Sequence, residues 1–85
     1  MALIDDLTTD WSDAVTALST DELWQVQGDG VVEVENDGSG AGTRLVAVDA
    51  WPPRNDAFVL PAGATPKYKL IWGHNSGVTI TRTPV

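Results

Sequence analysis

The chain is predicted to be all-β, a single small antiparallel β-sandwich of about six or seven short strands. Three observations predict it. Runs of four to six residues alternate apolar with polar side chains; glycine-rich or proline-rich segments separate them; and four tryptophans, Trp11, Trp24, Trp51 and Trp72, supply apolar mass to a chain of 85 residues with no cysteine. A chain this short buries only a modest core, so help from partner subunits is expected, and disulfides are not available to replace it.

Residues 1–20 are expected to form an extended N-terminal segment with an edge strand near Leu3 to Thr8. Trp11, Val15 and Leu18 at i, i+4 and i+7 also suit a short amphipathic helix. The threonines at 8, 9, 16 and 20 favour extended chain instead, because β-branched side chains lose rotamer freedom in a helix. Leu23–Gln27 and Val31–Glu35 alternate around Gly28-Asp29-Gly30, which is read as a β-hairpin with Trp24, Val26, Val32 and Val34 inward. An insert at 36–56 follows. It starts with a Gly-rich loop, Asn36 to Thr43, which has no side chain able to anchor a core and is expected to be mobile. Arg44–Val48 is a third strand, and Trp51-Pro52-Pro53-Arg54-Asn55-Asp56 is not expected to continue a ladder. Ala57–Leu60 is a short apolar strand before the turn-rich Pro61–Pro66. Lys67–Trp72 and Val78–Arg82 then form a C-terminal hairpin around residues 73–77. The remaining core candidates are Leu45, Tyr68, Leu70, Trp72, Val78 and Ile80.

Net charge is −7, with a sequence pI near 4.2. Nucleic-acid binding is disfavoured, because phosphate contacts need clustered Lys and Arg. The charge is also divided along the chain: residues 1–43 carry ten carboxylates and no Lys or Arg, whereas after Asp56 there are three bases, Lys67, Lys69 and Arg82, and no acid. That division suits contacts between the acidic part of one subunit and the bases of another subunit; the plainer explanation is a solvated acidic face. The N-terminal residues lack a basic region and an apolar stretch, and no run has membrane-spanning length. The expectation is therefore synthesis in a cytoplasm, with no signal peptide and no membrane partner.

Chemistry is sparse. His74, the one histidine, lies beside Asn75 and Ser76, but no Gly-x-Ser-x-Gly elbow accompanies it, and Gly38-Ser39-Gly40 lacks the helix that such a nucleophile needs. Glu33 and Glu35 alternate with apolar residues, as acids on a solvated strand face do. Asp29, Asn36 and Asp37 lack the spacing and closing Glu of an EF-hand. The Gly38–Thr43 segment lacks the lysine of a phosphate loop. No catalytic residue, cofactor or metal ligand is assigned. Trp24 and Trp72 are expected in the core, whereas Trp11 and Trp51 are open to contact, with Trp51 held at the surface by Pro52-Pro53. The candidate interface residues are Trp11, Trp51, Lys67, Lys69 and Arg82.

Leu23-Trp24-Gln25-Val26-Gln27, Gly30-Val31-Val32-Glu33-Val34, Leu60-Pro61-Ala62-Gly63, Leu70-Ile71-Trp72 and Gly77-Val78-Thr79-Ile80-Thr81, in this order, resemble small β-sandwich virion proteins of tailed bacteriophages. The likeness spans Leu18 to Thr81, and the 36–56 insert departs from it. The resemblance implies a non-enzymatic virion component made in the host cytoplasm. The first expectation is a capsid decoration or cement protein, homo-oligomeric and bound in symmetric copies to the major capsid protein or other virion subunits. A head-fibre or tail component is the alternative within that family. Outside it, the alternatives are a carbohydrate-binding or adhesive module built on Trp51 and, last, a small hydrolase using His74 or paired acids.

Overall fold

Alternation over Leu23–Gln27 and Val31–Glu35 does produce extended chain, but the two runs are one strand and not a hairpin. The computed structural model describes residues 2–36 and 42–85, with backbone alone at 74–76. Its strands are β1 (Ala2–Ile4), β2 (Glu22–Glu35), β3 (Thr43–Val48), β4 (Arg54–Asn55), β5 (Ala57–Leu60) and β6 (Lys67–Pro84). The expected C-terminal hairpin is likewise absent, since 67–72 and 78–82 are the two ends of β6. These long strands pair antiparallel from Glu22 opposite Pro84 to Glu35 opposite Lys67, with a break between the Gly28–Val78 and Gly30–Gly73 pairs.

The reason lies in the glycines. Gly28, at φ 101°, stands opposite Val78 and Gly30 opposite Gly73, and the register shifts between these two pairs. A Cβ on Gly28 would lie 2.5 Å from the Gly77 carbonyl oxygen, and one on Gly30 would overlap the Trp72 carbonyl oxygen. Both strands therefore break at one level, where their backbones approach too closely for side chains. The ribbon bends there and continues without reversing.

The bend divides one antiparallel six-stranded sheet, ordered β1-β6-β2-β3-β4 with β5 also on β2, into two leaves that share β2 and β6. The first half of β2 pairs with β5 and its second half with β3. Asp56 alone separates β4 from β5, so the chain passes from one leaf to the other at that residue. The all-β expectation holds, and the two layers are the leaves of one curled sheet. Arg54 and Asn55 do join the ladder, against expectation, because the residues after Pro53 have free N–H groups to pair with β3.

The core lies inside the curl. Trp24, Val26, Val32, Val34, Leu45, Val78 and Ile80 are buried there as expected, joined by Ile4, Leu18, Ala47 and Leu60, while Tyr68 and Leu70 pack against it half-buried. Trp72 is the exception, at 50 % exposure. A bulge causes this: Val31 faces Trp72 and Val32 faces Leu70, so Ile71 is an extra residue and alternation changes phase.

Residues 8–18 are extended, and no helix forms. They run antiparallel to residues 64–70, the start of β6 and the residues just before it, with Leu70 donating to the Thr8 carbonyl (2.7 Å), Ser12 to Tyr68 (2.8 Å), Val15 to Pro66 (2.8 Å) and Leu18 to Ala64 (3.0 Å). This strap covers a sheet edge that would otherwise be open to pairing. The mobile loop expected between Asn36 and Thr43 centres on residues 37–41, which lie outside the described residues, and Thr43 already belongs to β3.

Candidate interaction face

The sequence-predicted interface residues do not converge on one site. Lys69 and Arg82 belong to opposite ends of β6, and both are engaged within the chain. The Lys69 Nζ lies 4.6 Å from the centre of the half-buried Trp11 ring and 3.7 Å from Glu33 Oε2. Arg82 forms a two-pronged pair with Glu22, Nε to Oε1 at 2.9 Å and Nη2 to Oε2 at 3.2 Å, and its guanidinium stands 5.3 Å over the Trp24 ring. The Trp24 indole N–H donates to the same Glu22 carboxylate at 3.0 Å. The Arg82 hydrogen bond lowers the Glu22 pKa below its ordinary value, against the opposing effect of burial. Lys67 stands opposite Glu35 in the ladder and makes no ion pair among the described residues. Glu35 is buried, not on the solvated face its alternation suggested. The charge division along the sequence thus has a local use, since acids of β2 lie across from bases of β6.

At the leaf junction the Asp56 carboxylate accepts from Arg54 Nε (2.9 Å) and Nη2 (3.0 Å) and from the Val46 N–H (3.1 Å). Hydrogen bonding to Arg54, then to Val46, lowers its pKa. Asn55 Nδ2 donates to the Val26 carbonyl at 3.0 Å, and Val26 N–H donates to Asp56 O at 3.1 Å. Backbone groups of β2 left without a strand partner at the bend are satisfied in this way.

A recess of about 220 Å³ lies between the strap and β6, lined by Asp6, Thr8, Asp10, Ser12, Asp13 and Tyr68. Tyr68 donates its hydroxyl to Asp6 Oδ1 at 3.1 Å, and burial, then Asp6, raises its pKa. Among the described residues, no three His, Cys, Asp or Glu side chains are placed to hold a metal ion. The side chain of His74 and the Gly38-Ser39-Gly40 segment lie outside the described residues, as does Asp37.

What alternation alone did not reveal is a face. Register places Leu3, Thr81, Gln25 and Ala57 in one row across β1, β6, β2 and β5, and Thr83, Leu23 and Val59 in the next. These residues alternate with the buried Ile4, Ile80, Val26 and Trp24, so they occupy the outside of the sheet. Past the bend, Trp72, Val31 and Val46 form a further outer row. Leu3, Val59 and Trp72 are exposed at 59 %, 52 % and 50 %, and Val85, which extends the β6 ladder by donating to Asp21 O, at 76 %. Trp51, in the loop between β3 and β4, is 91 % exposed, as the Trp-Pro-Pro run suggested. No family model, curated protein or solved structure matches the chain.

Proposed function

We propose that this chain is a non-enzymatic structural subunit of a tailed-bacteriophage particle, a capsid decoration protein bound in multiple symmetric copies to the outer surface of the head. The observation that carries the reading is the outer side of the β1, β6, β2 and β5 leaf, where Leu3 and Val59 are each more than half exposed on a chain of only 85 residues. Exposed apolar side chains gathered on one surface mark a contact with another macromolecule. The order of sequence segments that resembles small virion proteins, not the observed strand order, supplies the class of partner. A subunit this small offers little area at any one contact, and many equivalent sites make up for it through avidity. Quantitative mass spectrometry of purified virions tests the reading. The decoration role requires the chain at a copy number comparable to that of the shell protein; absence, or one to a few copies, removes it.

Trp51 supports a second reading, a carbohydrate-binding module in which its exposed ring stacks on a sugar. A glycan-induced change in tryptophan emission that is lost in Trp51→Ala would select it over the structural role.

A further inference from the structure

Among the described residues, the outer side of the β1, β6, β2 and β5 leaf carries no ionisable side chain. On a molecule of net charge −7 this is a distinctive surface. Its middle is built from uncharged hydrogen-bonding groups: Thr81 Oγ1 donates to the Gln25 carbonyl at 3.2 Å, and Gln27 Nε2 lies 3.5 Å from Thr81 Oγ1. Its apolar residues, Leu3, Leu23 and Val59, stand on the outer strands and beside the ladder of threonines. The corners are acidic, with Asp5 following β1 and Asp21 preceding β2.

We infer that this neutral face is the surface that docks on the particle, and that its partner is a shell-protein patch with an uncharged centre and Lys or Arg around its rim. The inference rests on the proposed decoration role and specifies the contact. Charge decides between occupants. Two copies stacked through this face would bring acidic corners within a Debye length of about 8 Å of one another, whereas a basic rim meets those corners favourably and leaves the centre free of buried charge. Size agrees with that choice. Four strands about 4.8 Å apart and about five residues rising about 3.3 Å each span roughly 15 Å by 15 Å, well short of the roughly 800 Å² per partner of a stable isolated complex. Such a contact works when repeated over a lattice, not as a lone dimer.

The test is rebinding of the purified chain to particles lacking it, measured by co-sedimentation. Val59→Lys and Leu3→Lys alter residues already more than half exposed, so both should fold; unchanged far-UV circular dichroism verifies this. Each places a charge in the neutral contact and should weaken rebinding by about tenfold or more. Asp5→Lys should weaken it about threefold and flatten its salt dependence, whereas Asp49→Lys, the same charge change on an exposed residue outside the face, should leave it unchanged. Normal rebinding by Val59→Lys and Leu3→Lys overturns the inference and leaves the decoration role standing. Self-association of the free chain that Val59→Lys abolishes also overturns it, because the occupant is then a second copy. Failure of the wild-type chain to rebind removes the inference and the decoration role together.

Discussion

At the residue scale, Trp24 is the centre of the fold. Its ring is fully buried, its indole N–H is bonded to Glu22, and Arg82 lies over its face while holding the same carboxylate. One side chain thus combines apolar burial, a satisfied donor and a cation over the ring. Trp24→Ala should cost about 3–5 kcal/mol in chemical denaturation, the usual range for deleting a large buried aromatic. The carboxylates predict a pH dependence. Glu22 and Asp56 both titrate below their ordinary values when folded, because Arg82 and Arg54 hold the charged forms. On acidification the unfolded chain takes up their protons first. The stabilisation these two groups give is therefore complete at neutral pH, begins to fall near the ordinary carboxylate pKa of about 4, and is lost as pH drops through the folded values. In Glu22→Gln the acid limb of an unfolding titration should be shallower, with the neutral-pH stability reduced. An unchanged acid limb would mean that the Arg82 pair contributes nothing.

At the element scale, the bend between the two leaves decides the architecture. A side chain at Gly30 would meet the Trp72 carbonyl oxygen, with Val78 Cγ2 at 2.6 Å and Gly73 Cα at 2.9 Å. Two of these three neighbours are backbone atoms that cannot swing aside. Gly30→Ala should therefore destabilise the fold by about 2–3 kcal/mol or more. Gly63→Ala is the comparison: its Cβ would enter open space, and only its φ of 88° opposes the change, so about 1 kcal/mol is expected. Equal losses in the two variants would contradict the crowded bend. The same elements show what the sequence revealed and what it concealed. Alternation identified the inward side chains of β2 because Trp24, Val26, Val32 and Val34 keep one phase across the glycines. It did not separate a reversal from a bend, since Gly-Asp-Gly satisfies both and the deciding contact is with Gly73 and Gly77, more than forty residues later. Trp72 was misplaced because one extra residue, Ile71, inverts the phase, and nothing in Leu70-Ile71-Trp72 marks that bulge. The exposed Trp51 was legible from the prolines after it. The neutral face was not, because its rows exist only once β1, β6, β2 and β5 are set in register.

At the scale of the whole molecule, charge and shape are divided between stability and contact. Glu22 with Arg82 and Glu33 with Lys69 bind β2 to β6, while the outer side of the β1, β6, β2 and β5 leaf has no ionisable side chain among the described residues. Open edges are short, as in β1, β4 and β5, or covered, as where the strap lies along β6, so pairing through strand edges is discouraged. On the proposed reading that division suits a subunit repeated over a large surface, with net negative charge opposing non-specific association and one uncharged patch left for docking. The most direct test is a cryo-electron-microscopy reconstruction of the particle with its symmetry applied. The account predicts density for this chain at symmetric positions on the outer head surface, with Leu3, Val59 and Thr81 turned toward the shell and Trp51 away from that contact. Density confined to the tail, no density on the head, or a copy whose neutral sheet face looks outward to solvent would contradict it.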